Sequence, residues 1–416
     1  MSQTADVLII GAGAAGLSAA KQLAKEGLSY IVVEGSHRIG GRAYSEEIAP
    51  GIWFDLGCSY LHQAETNPFV EIADDLGIEL GKAHGDMFDY ENQRVYHNGV
   101  AIGPEKHHAY QAYMKESHRL IEESAERGED IPVVDLINLD HEFAPLLMHS
   151  WSETSTRDID EMSSMDAAVF EDGGDYPVRN GYGNLVAAWG ADIPVSLNTP
   201  VTKVDWDQHQ VIVETSKGNL SGRAALVTVS TGILGAGNID FAPGLPDWKM
   251  EAIQGVPTGT ENKICLYFDR DVFGPEGRGF YNVFNDNGDS GDFEASVMGQ
   301  NTSISFVGGR FAIWLEKQGQ QAAHDYAVDR VAEVFGNDIR KHVTRSIATA
   351  WNTEPWTLGS YSCALPGQAH QRRALARPLD DKLFFAGEAT TVGDQSCCHG
   401  AFRSGIRAAK EITQVL

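Results

Sequence analysis

The sequence predicts an α/β fold (α+β, in two closely associated domains), and three observations support this class. The chain has 416 residues, which is more than one ordinary hydrophobic core holds. An apolar share of 42% and a charged share of 22% are typical of a globular protein. The N-terminal region has the pattern of a strand, a glycine-rich turn, a helix and a second strand, which indicates a parallel sheet.

The first element is an apolar strand over 6–10 that ends directly at a glycine-rich turn. Gly11 allows the tight turn, Gly13 lets a pyrophosphate approach the backbone, and Gly16 lets helix and strand pack closely. The helix that follows begins at Ala14 and Ala15, where free N–H groups and the helix dipole attract phosphates.

The second strand, 30–33, ends at Glu34. A carboxylate at this position can accept hydrogen bonds from a ribose hydroxyl pair, and its charge repels a 2′-phosphate. One short unit thus contains a strand, a glycine-rich turn, a helix, a second strand and an acidic residue. This combination predicts a bound dinucleotide, which could be NAD or FAD on this evidence.

A second glycine pair follows, in the segment from Gly35 to Gly40-Gly41-Arg42, and suits the pyrophosphate of a long cofactor. Here the sequence resembles the flavin amine oxidase family, which has a GGR segment beside the pyrophosphate and flavin. Residues 55–60 resemble the family's DLG-x-S segment near the isoalloxazine ring. The resemblance implies a Rossmann-type GR2 FAD-binding domain, with cofactor contacts from Gly35, Gly41, Arg42, Gly57, Cys58 and Ser59.

The resemblance continues towards the C-terminus, where the strand 383–386 ends in Gly387-Glu388 and a helix opens after Ser396. In the family such an acid holds the ribitol or a pyrophosphate-side hydroxyl, and the helix start faces the flavin pyrimidine edge, where its N–H groups stabilise negative charge. Val204, in the hairpin region 198–230, is implied to touch the adenine or its ribose. Further cofactor contacts are implied for Gly387, Glu388, Cys397, Cys398 and Ala401.

Because both chain ends contact FAD, we expect a discontinuous cofactor domain. We assign residues 1–81, 196–262 and 365–416 to it, and residues 82–195 and 263–364 to a substrate domain of helices and a mixed sheet. The substrate domain is predicted to contain helices over 107–127 and 133–149. Its sheet is predicted from 263–269, 303–316 and 345–361.

Five residues are predicted to contact the substrate or the reacting part of the flavin. Lys263 lies in an apolar strand, where a buried ammonium is costly without a partner, and the family has a lysine here that a water links to flavin N5. The alternative is an edge-strand lysine that reaches solvent. The resemblance places Trp351 against the flavin and makes Tyr361 and Cys397 walls of a substrate cage, with His62 as a polar group on the substrate side. Trp356 is expected to pack in the core.

Two departures from the monoamine oxidases matter. Ser360 stands where those enzymes attach flavin to a cysteine, so FAD is expected to bind non-covalently. Cys397 stands where the second wall of the cage is often a tyrosine, so only one wall is aromatic. Residues 60–68 and 396–400 also resemble polyamine oxidase segments. We therefore expect an FAD-dependent oxidase that converts a C–N bond of a small amine, with a polyamine-like amine as one candidate, to an imine, with O2 or another electron acceptor and release of H2O2.

Three alternatives stay open at the level of the sequence. A cyclic alkaloid-type amine is one, and an amino acid, which needs an arginine for its carboxylate, is another; Arg179 and Arg310 are unproven candidates. A scaffold whose flavin does not turn over is the third.

The net charge and the cysteines limit which ligands, metals and macromolecules the protein is expected to bind. A formal charge of −26 opposes binding to nucleic acid or anionic membranes. It either favours a cationic ligand or serves only to keep the protein in solution. The five cysteines show no metal-binding spacing, so no metal site is expected. The adjacent Cys397 and Cys398 are expected to be packed thiols, with a functional thiol or a vicinal disulfide as the alternatives. With no basic leader or 18-residue apolar run, we expect a cytoplasmic monomer or homodimer.

Overall fold

The computed structural model describes residues 3–81, 93–169 and 173–416. Within this part of the chain, two large β-sheets lie on either side of one cavity, and helices cover both. The predicted α/β class is confirmed. No helix among the described residues has the length and apolar character needed to cross a membrane.

The first sheet has eight strands in the order β13-β10-β11-β12-β1-β2-β9, and β19 also pairs with β12. β1 is parallel to both β12 and β2, as the opening pattern predicts. The strands of this sheet are β1 (Gln3–Ile10), β2 (Tyr30–Val33), β9 (Val195–Ser196), β10 (Val201–Asp205), β11 (Val211–Thr215), β12 (Gly218–Val227), β13 (Asp240–Ala242) and β19 (Leu383–Phe385).

The second sheet has seven strands in the order β18-β14-β17-β16-β15-β6-β7. Its strands are β6 (Arg94–His97), β7 (Val100–Ala101), β14 (Glu261–Phe268), β15 (Gly279–Phe284), β16 (Ser290–Ala295), β17 (Thr302–Gly308) and β18 (Val343–Ala348). Two short hairpins are formed by β3 (Ser45–Ala49) with β4 (Ile52–Asp55) and by β5 (Tyr60–Leu61) with β8 (Tyr176–Pro177).

The helices of the described residues pack on these sheets. They are α1 (Ala14–Lys25), α2 (Pro68–Asp75), α3 (Pro104–Glu126), α4 (Ala144–Ser155), α5 (Ser164–Ala168), α6 (Tyr182–Gly190), α7 (Thr231–Gly235), α8 (Asp247–Gly255), α9 (Gly309–Gln318), α10 (Gln320–Phe335), α11 (Gln371–Ala376) and α12 (Cys398–Val415). α10 covers the face of β14 that carries Ile264, Leu266 and Phe268. Because side chains alternate along a strand, Lys263 points to the opposite face.

The first βαβ unit joins the two ends of the chain. A Cβ at Gly16 would lie 2.0 Å from the carbonyl oxygen of Gly11, so the close helix–strand packing predicted for Gly16 is present. α12 crosses α1 at another glycine, Gly405, where a Cβ would lie 2.1 Å from the carbonyl oxygen of Ala15. This close approach brings the start of α12 beside the glycine-rich turn.

Several predicted element boundaries are wrong. Residues 133–135 form only a short 3-10 turn, and the helix begins at Ala144, with Pro145 in its first turn. The strand predicted over 303–316 ends at Gly308, because Gly309 has a φ of +58° and opens α9. The strand predicted over 345–361 ends at Ala348, and a 3-10 turn follows at Trp351–Thr353.

The domain assignment stays a prediction, although its boundaries can be compared with the packing. The boundary at 195/196 falls inside β9, and α6, assigned to the substrate domain, packs in the core of the first sheet through Leu185 and Val186. The predicted start of the substrate domain at residue 82 lies outside the described residues. So do 83–92, where the family resemblance is weak.

Candidate active site

One cavity of about 550 Å³ runs between the two sheets. It begins at the carboxyl ends of β1 and β2 and passes the start of α12. It then continues to β14 and the helices α3 and α4. The cavity therefore unites the N-terminal, central and C-terminal segments singled out in the sequence.

Backbone groups form the first part of the cavity. Gly11, Gly40 and Gly41 have φ values of +109°, +97° and +59°, a region that residues with a Cβ rarely adopt. A Cβ placed on Gly13, the N-cap of α1, would come no closer than 3.9 Å to other atoms, so the backbone is open to a ligand here. The N–H groups that begin at Ala14 and Ala15 face this opening and attract anions.

Glu34 is held rigidly at the end of β2. Its carboxylate accepts hydrogen bonds from the backbone N–H groups of Ala12 and Ser36, both at 2.8 Å, and it lines the cavity. The Trp356 ring lies so close to Gly35 that a Cβ there would be 2.6 Å from it. Trp356 is 42% exposed, so the expectation that it packs in the core is wrong.

Val204 is misplaced in the prediction. It is fully buried in the core of the first sheet, whereas Val201 and Thr202 line the cavity. The pairing of β10 with β11 has an irregularity between Val201 and Lys203, which changes the face that later residues occupy. An adenosine contact at Val204 is therefore ruled out by its packing.

A buried charge network surrounds Glu388. Its Oε1 accepts a hydrogen bond from Arg42 at 2.8 Å, and its Oε2 accepts one from the Ser362 hydroxyl at 2.6 Å. Ser362 in turn accepts from Arg372, which is fully buried and pairs with Asp166. Arg372 and Asp166 belong to no motif recognised in the sequence, and their separation along the chain gives no local signal of the pair.

Lys263 lies at the centre of the cavity and is 5% exposed. Its ammonium donates hydrogen bonds to the carbonyl oxygen of Gly57 and to the Ser59 hydroxyl. β14 lies between β18 and β17, so the alternative of an edge-strand lysine reaching solvent is wrong. Trp351 donates from its ring nitrogen to the carbonyl oxygen of Leu56 at 2.9 Å and so fixes the same loop.

The predicted cage residues also line the cavity. The Tyr361 hydroxyl donates to the carbonyl oxygen of Glu153 at 2.8 Å. Burial, with Glu261 and Glu153 nearby, raises the pKa of Tyr361 well above its usual value. The Ser360 hydroxyl accepts from the backbone N–H of Glu261 at 2.7 Å.

The cysteines of the site are free thiols. Cys397 and Cys398 are buried and free, as expected for packed thiols. A hydrogen bond with Cys398 lowers the pKa of the Cys58 thiol, and all three cysteines line the cavity together with Ala401.

His62 is paired with Asp175, a residue that the sequence did not single out. Its Nδ1 lies 2.7 Å from Oδ1 of Asp175. Burial lowers the pKa of His62, but the Asp175 carboxylate outweighs burial, and the net shift is upward.

The carboxylates of Glu153, Asp175, Glu261 and Asp292 line the same cavity and define the part of it that we call the acidic chamber. Burial raises the pKa of Glu261, although Lys263 opposes this shift. Burial and the neighbouring Asp292 raise the pKa of Glu153 well above its usual range. The chamber was missed from the sequence because its acids come from separate elements.

The two arginines considered for an amino-acid carboxylate lie elsewhere. Arg310 is largely exposed and pairs with Asp158 and Asp160, and Arg179 pairs with Glu79. Neither arginine lines the cavity. The candidate clamp is therefore wrong.

Comparison with known proteins places the chain in a family. A family model described as "Flavin containing amine oxidoreductase" matches residues 14–413. The chain belongs to this family, which confirms the predicted resemblance. Polyamine oxidase 4 and polyamine oxidase 5 of Oryza sativa subsp. japonica are 30% and 28% identical to it. These matches cover 97% of this chain and 88% and 87% of the relatives.

Other similarities agree with the family. Lysine-specific histone demethylase 1 homolog 3 of Arabidopsis thaliana is 28% identical over 99% of this chain, which spans 30% of that protein. Solved structures of putrescine oxidase variants with redesigned cofactor binding share the fold. Two of them have TM-scores of 0.81 and 0.82 at 18% identity, with 100% of each chain covered.

The protein is an FAD-dependent amine oxidase, and the described residues fit this cofactor. The glycine turns leave backbone N–H groups open, and the start of α12 lines the same cavity. The buried Thr357 hydroxyl also lines it and has no hydrogen-bond partner within the protein. The Ser360 hydroxyl cannot form the thioether that attaches flavin to a cysteine in the monoamine oxidases, so FAD is held here without a covalent bond at this position.

Proposed function

We propose that the protein oxidises a C–N bond of a polycationic alkylamine, such as a diamine or polyamine, to an imine, with O2 as electron acceptor and H2O2 as product. The acidic chamber is the observation that carries this proposal, because buried carboxylates favour a cation. The names of the polyamine oxidase relatives support the same class. Bound FAD supplies the two-electron acceptor that this chemistry needs.

Lys263 and the start of α12 take electrostatic roles in this proposal. The Lys263 ammonium, held by Gly57 and Ser59, places a fixed positive charge at the centre of the cavity. The N–H groups that open α12 at Cys398 stabilise negative charge beside them. Both groups are ordered by the protein before substrate binds, so neither has to reorganise during the reaction.

Tyr361, Trp351 and Cys397 form the less polar wall of the substrate cage, and His62 is the polar group on the substrate side. A reactive amine must lose its proton before oxidation. His62, paired with Asp175, lies where it can hydrogen-bond that amine. Glu261 is placed to hold a second positive charge of the substrate.

The substrate class is tested by adding amines to the enzyme without oxygen and recording the flavin absorbance. The panel contains monoamines, diamines, polyamines, a cyclic amine and an amino acid. We expect the polycationic amines to bleach the flavin fastest, and readmission of O2 to release H2O2. Bleaching by the amino acid alone would contradict the substrate class, whereas no bleaching by any compound would favour the non-catalytic scaffold.

The role of Glu261 is tested by Glu261→Gln, which removes one charge and keeps the shape. We expect KM for a diamine to rise about tenfold, since a hydrogen bond to a charged group contributes about 1.5 kcal/mol. KM for a monoamine should change far less. Glu276→Gln, at an exposed glutamate of a 3-10 turn, is the matched control. Equal effects of Glu261→Gln on both amines would contradict the role.

The predicted cytoplasmic location is kept as a further proposal. The five free cysteines support it, because free thiols suit a reducing compartment. Cell fractionation tests it.

A further inference from the structure

A cluster of His149, Glu153 and Asp292 lies at the wall of the acidic chamber. His149 and Glu153 are four residues apart on α4 and therefore share one face of that helix. Asp292 comes from β16, on which α4 packs. One ligand-type atom from each residue lies within 4.8 Å of the other two, and His149 Nε2 is 3.6 Å from Asp292 Oδ2.

Two polar atoms of the cluster lack partners although they are buried. The side chains of His149 and Asp292 are 9% and 10% exposed. His149 Nε2 and Glu153 Oε2 have no hydrogen-bond partner in the structure. A buried polar atom without a partner costs about 1–3 kcal/mol. His149 Nε2 lies 3.6 Å from Asp292 without forming a hydrogen bond, which indicates a ligand beside these two residues.

Arg330 is a cation in the same region as the cluster. Its Nη2 pairs with Asp289 and Glu333 at 2.6 and 2.7 Å, whereas its buried Nε and Nη1 have no hydrogen-bond partner. Glu153 and Asp292 bring carboxylate oxygens to within 4.8 Å of each other, and a cation bound between them would offset the repulsion of two such charges.

The donor set indicates the kind of cation. One imidazole nitrogen and two carboxylate oxygens suit a zinc-class ion, which takes three protein ligands and leaves a fourth position open. Adjacent ligands of a tetrahedral zinc lie about 3.4 Å apart for bonds of about 2.1 Å. The cluster needs to close by up to about 1.4 Å to reach this geometry. The open position would face the chamber, because Glu153 and Asp292 line it.

We propose that His149, Glu153 and Asp292 bind a divalent transition-metal ion of the zinc class, and that this ion competes with the cationic substrate for the acidic chamber. The metal site itself rests on the cluster alone. The competition rests on the function proposed above, because it requires the amine to enter the chamber.

Binding is measured by equilibrium dialysis of the FAD-loaded enzyme against ZnCl2. We expect one zinc ion per chain at this site. His149→Cys keeps a zinc ligand, whereas His149→Ser has nearly the same size and is a poor ligand. The serine variant should bind zinc at least about tenfold more weakly than the cysteine variant, since even an outer-shell change costs this much. His342→Ala, at a surface histidine paired with Asp269, should bind zinc as the unchanged protein does.

Two outcomes would overturn the metal site. One is that zinc does not bind; the other is that it binds equally to the cysteine and serine variants. The second result would mean that the cavity thiols, such as Cys58, capture the ion. FAD content of each variant shows that it is folded.

Competition is measured separately, from amine oxidation at increasing zinc concentration. We expect zinc to raise the apparent KM of a diamine and leave kcat unchanged, and we expect this effect to disappear in His149→Ser. Zinc that binds as described without raising KM would overturn the competition. It would also count against placement of the substrate in the chamber, while the metal site would stand.

Discussion

The two halves of the cavity are built in different ways. The cofactor half consists mainly of backbone groups at glycine turns and helix starts, and its few charged side chains, such as Glu34 and Glu388, are fixed by hydrogen bonds to their neighbours. The acidic chamber consists of carboxylates from α4, β14, β16 and the segment before β8, and burial raises the pKa of two of them, Glu153 and Glu261. A backbone cradle suits one constant ligand, whereas a set of side chains can be changed to suit different amines.

The largest effect is expected at the buried pair that supports the cofactor half. In Arg372→Met, Asp166 would be left charged and buried without its partner, which costs about 3–5 kcal/mol. Urea unfolding measures the loss. Arg373→Met, at the exposed neighbouring position, is the control and should change stability little. Arg372→Met combined with Asp166→Leu should recover part of the loss, and a double variant no more stable than the single one would count against this explanation.

A smaller effect, on turnover rather than on folding, is expected at the junction of the two halves. Lys263→Met keeps a side chain of similar length and removes the charge. We expect kcat to fall about 100-fold, as for other fixed electrostatic groups in active sites, while FAD stays bound. Stopped-flow absorbance measures flavin reduction and reoxidation separately. Near-normal rates in both steps would remove the role assigned to Lys263, and Lys317→Met, at an exposed lysine of α9, is the control.

The difference between a backbone cradle and a set of side chains also explains which parts of the cavity could be predicted from the sequence. The positions of Gly11, Gly13 and Glu34 follow from local backbone shape, which residue types within one βαβ unit determine. The chamber depends on side chains that only tertiary packing brings together, such as Glu153 on α4 and Asp292 on β16, so no local pattern marks it. Even within the cofactor half, the local irregularity in β10 was enough to misplace Val204.

The predicted strand over 303–316 failed for a related reason. Apolar residues continue through Gly308 and Gly309, but a Cβ at Gly308 would lie 1.9 Å from the carbonyl oxygen of Ser152. Gly308 is required for the close packing of α4, which carries Glu153 into the chamber. The apolar pattern over 303–316 indicated a buried segment, but it did not indicate which element packs against it.

A still smaller effect is expected from a methyl group added to the cofactor cradle. Gly41 has a φ of +59°, and a Cβ there would lie 3.2 Å from the Cα of Gly13. Gly41→Ala should raise the Kd for FAD about tenfold, which corresponds to about 1.4 kcal/mol. Gly51→Ala is the matched control, since Gly51 also has a positive φ, of +74°, but no atom within 4 Å of its added Cβ. Titration of the apoprotein with FAD measures both, and equal Kd values would show that the cradle tolerates the methyl group.

The smallest effect is expected at the border of the acidic chamber, from the pair of His62 and Asp175. The pKa of His62 is raised above its ordinary value of 6.5, despite burial, by the Asp175 carboxylate. A histidine with a raised pKa in the folded state stabilises the fold below its ordinary pKa. This contribution is lost as the pH rises through the folded-state pKa.

Asp175→Asn should therefore lower the Tm more at about pH 5.5 than at about pH 8.5, by no more than about 2 °C. Differential scanning calorimetry of the FAD-loaded protein at both pH values measures the difference. Asp286→Asn is the control, because Asp286 also pairs with a histidine, His97, but is itself 77% exposed. A larger decrease in Tm at about pH 8.5 than at about pH 5.5 would contradict the expected effect of Asp175 on the pKa of His62. The Asp175 carboxylate would then not stabilise the protonated form of His62 in the folded protein.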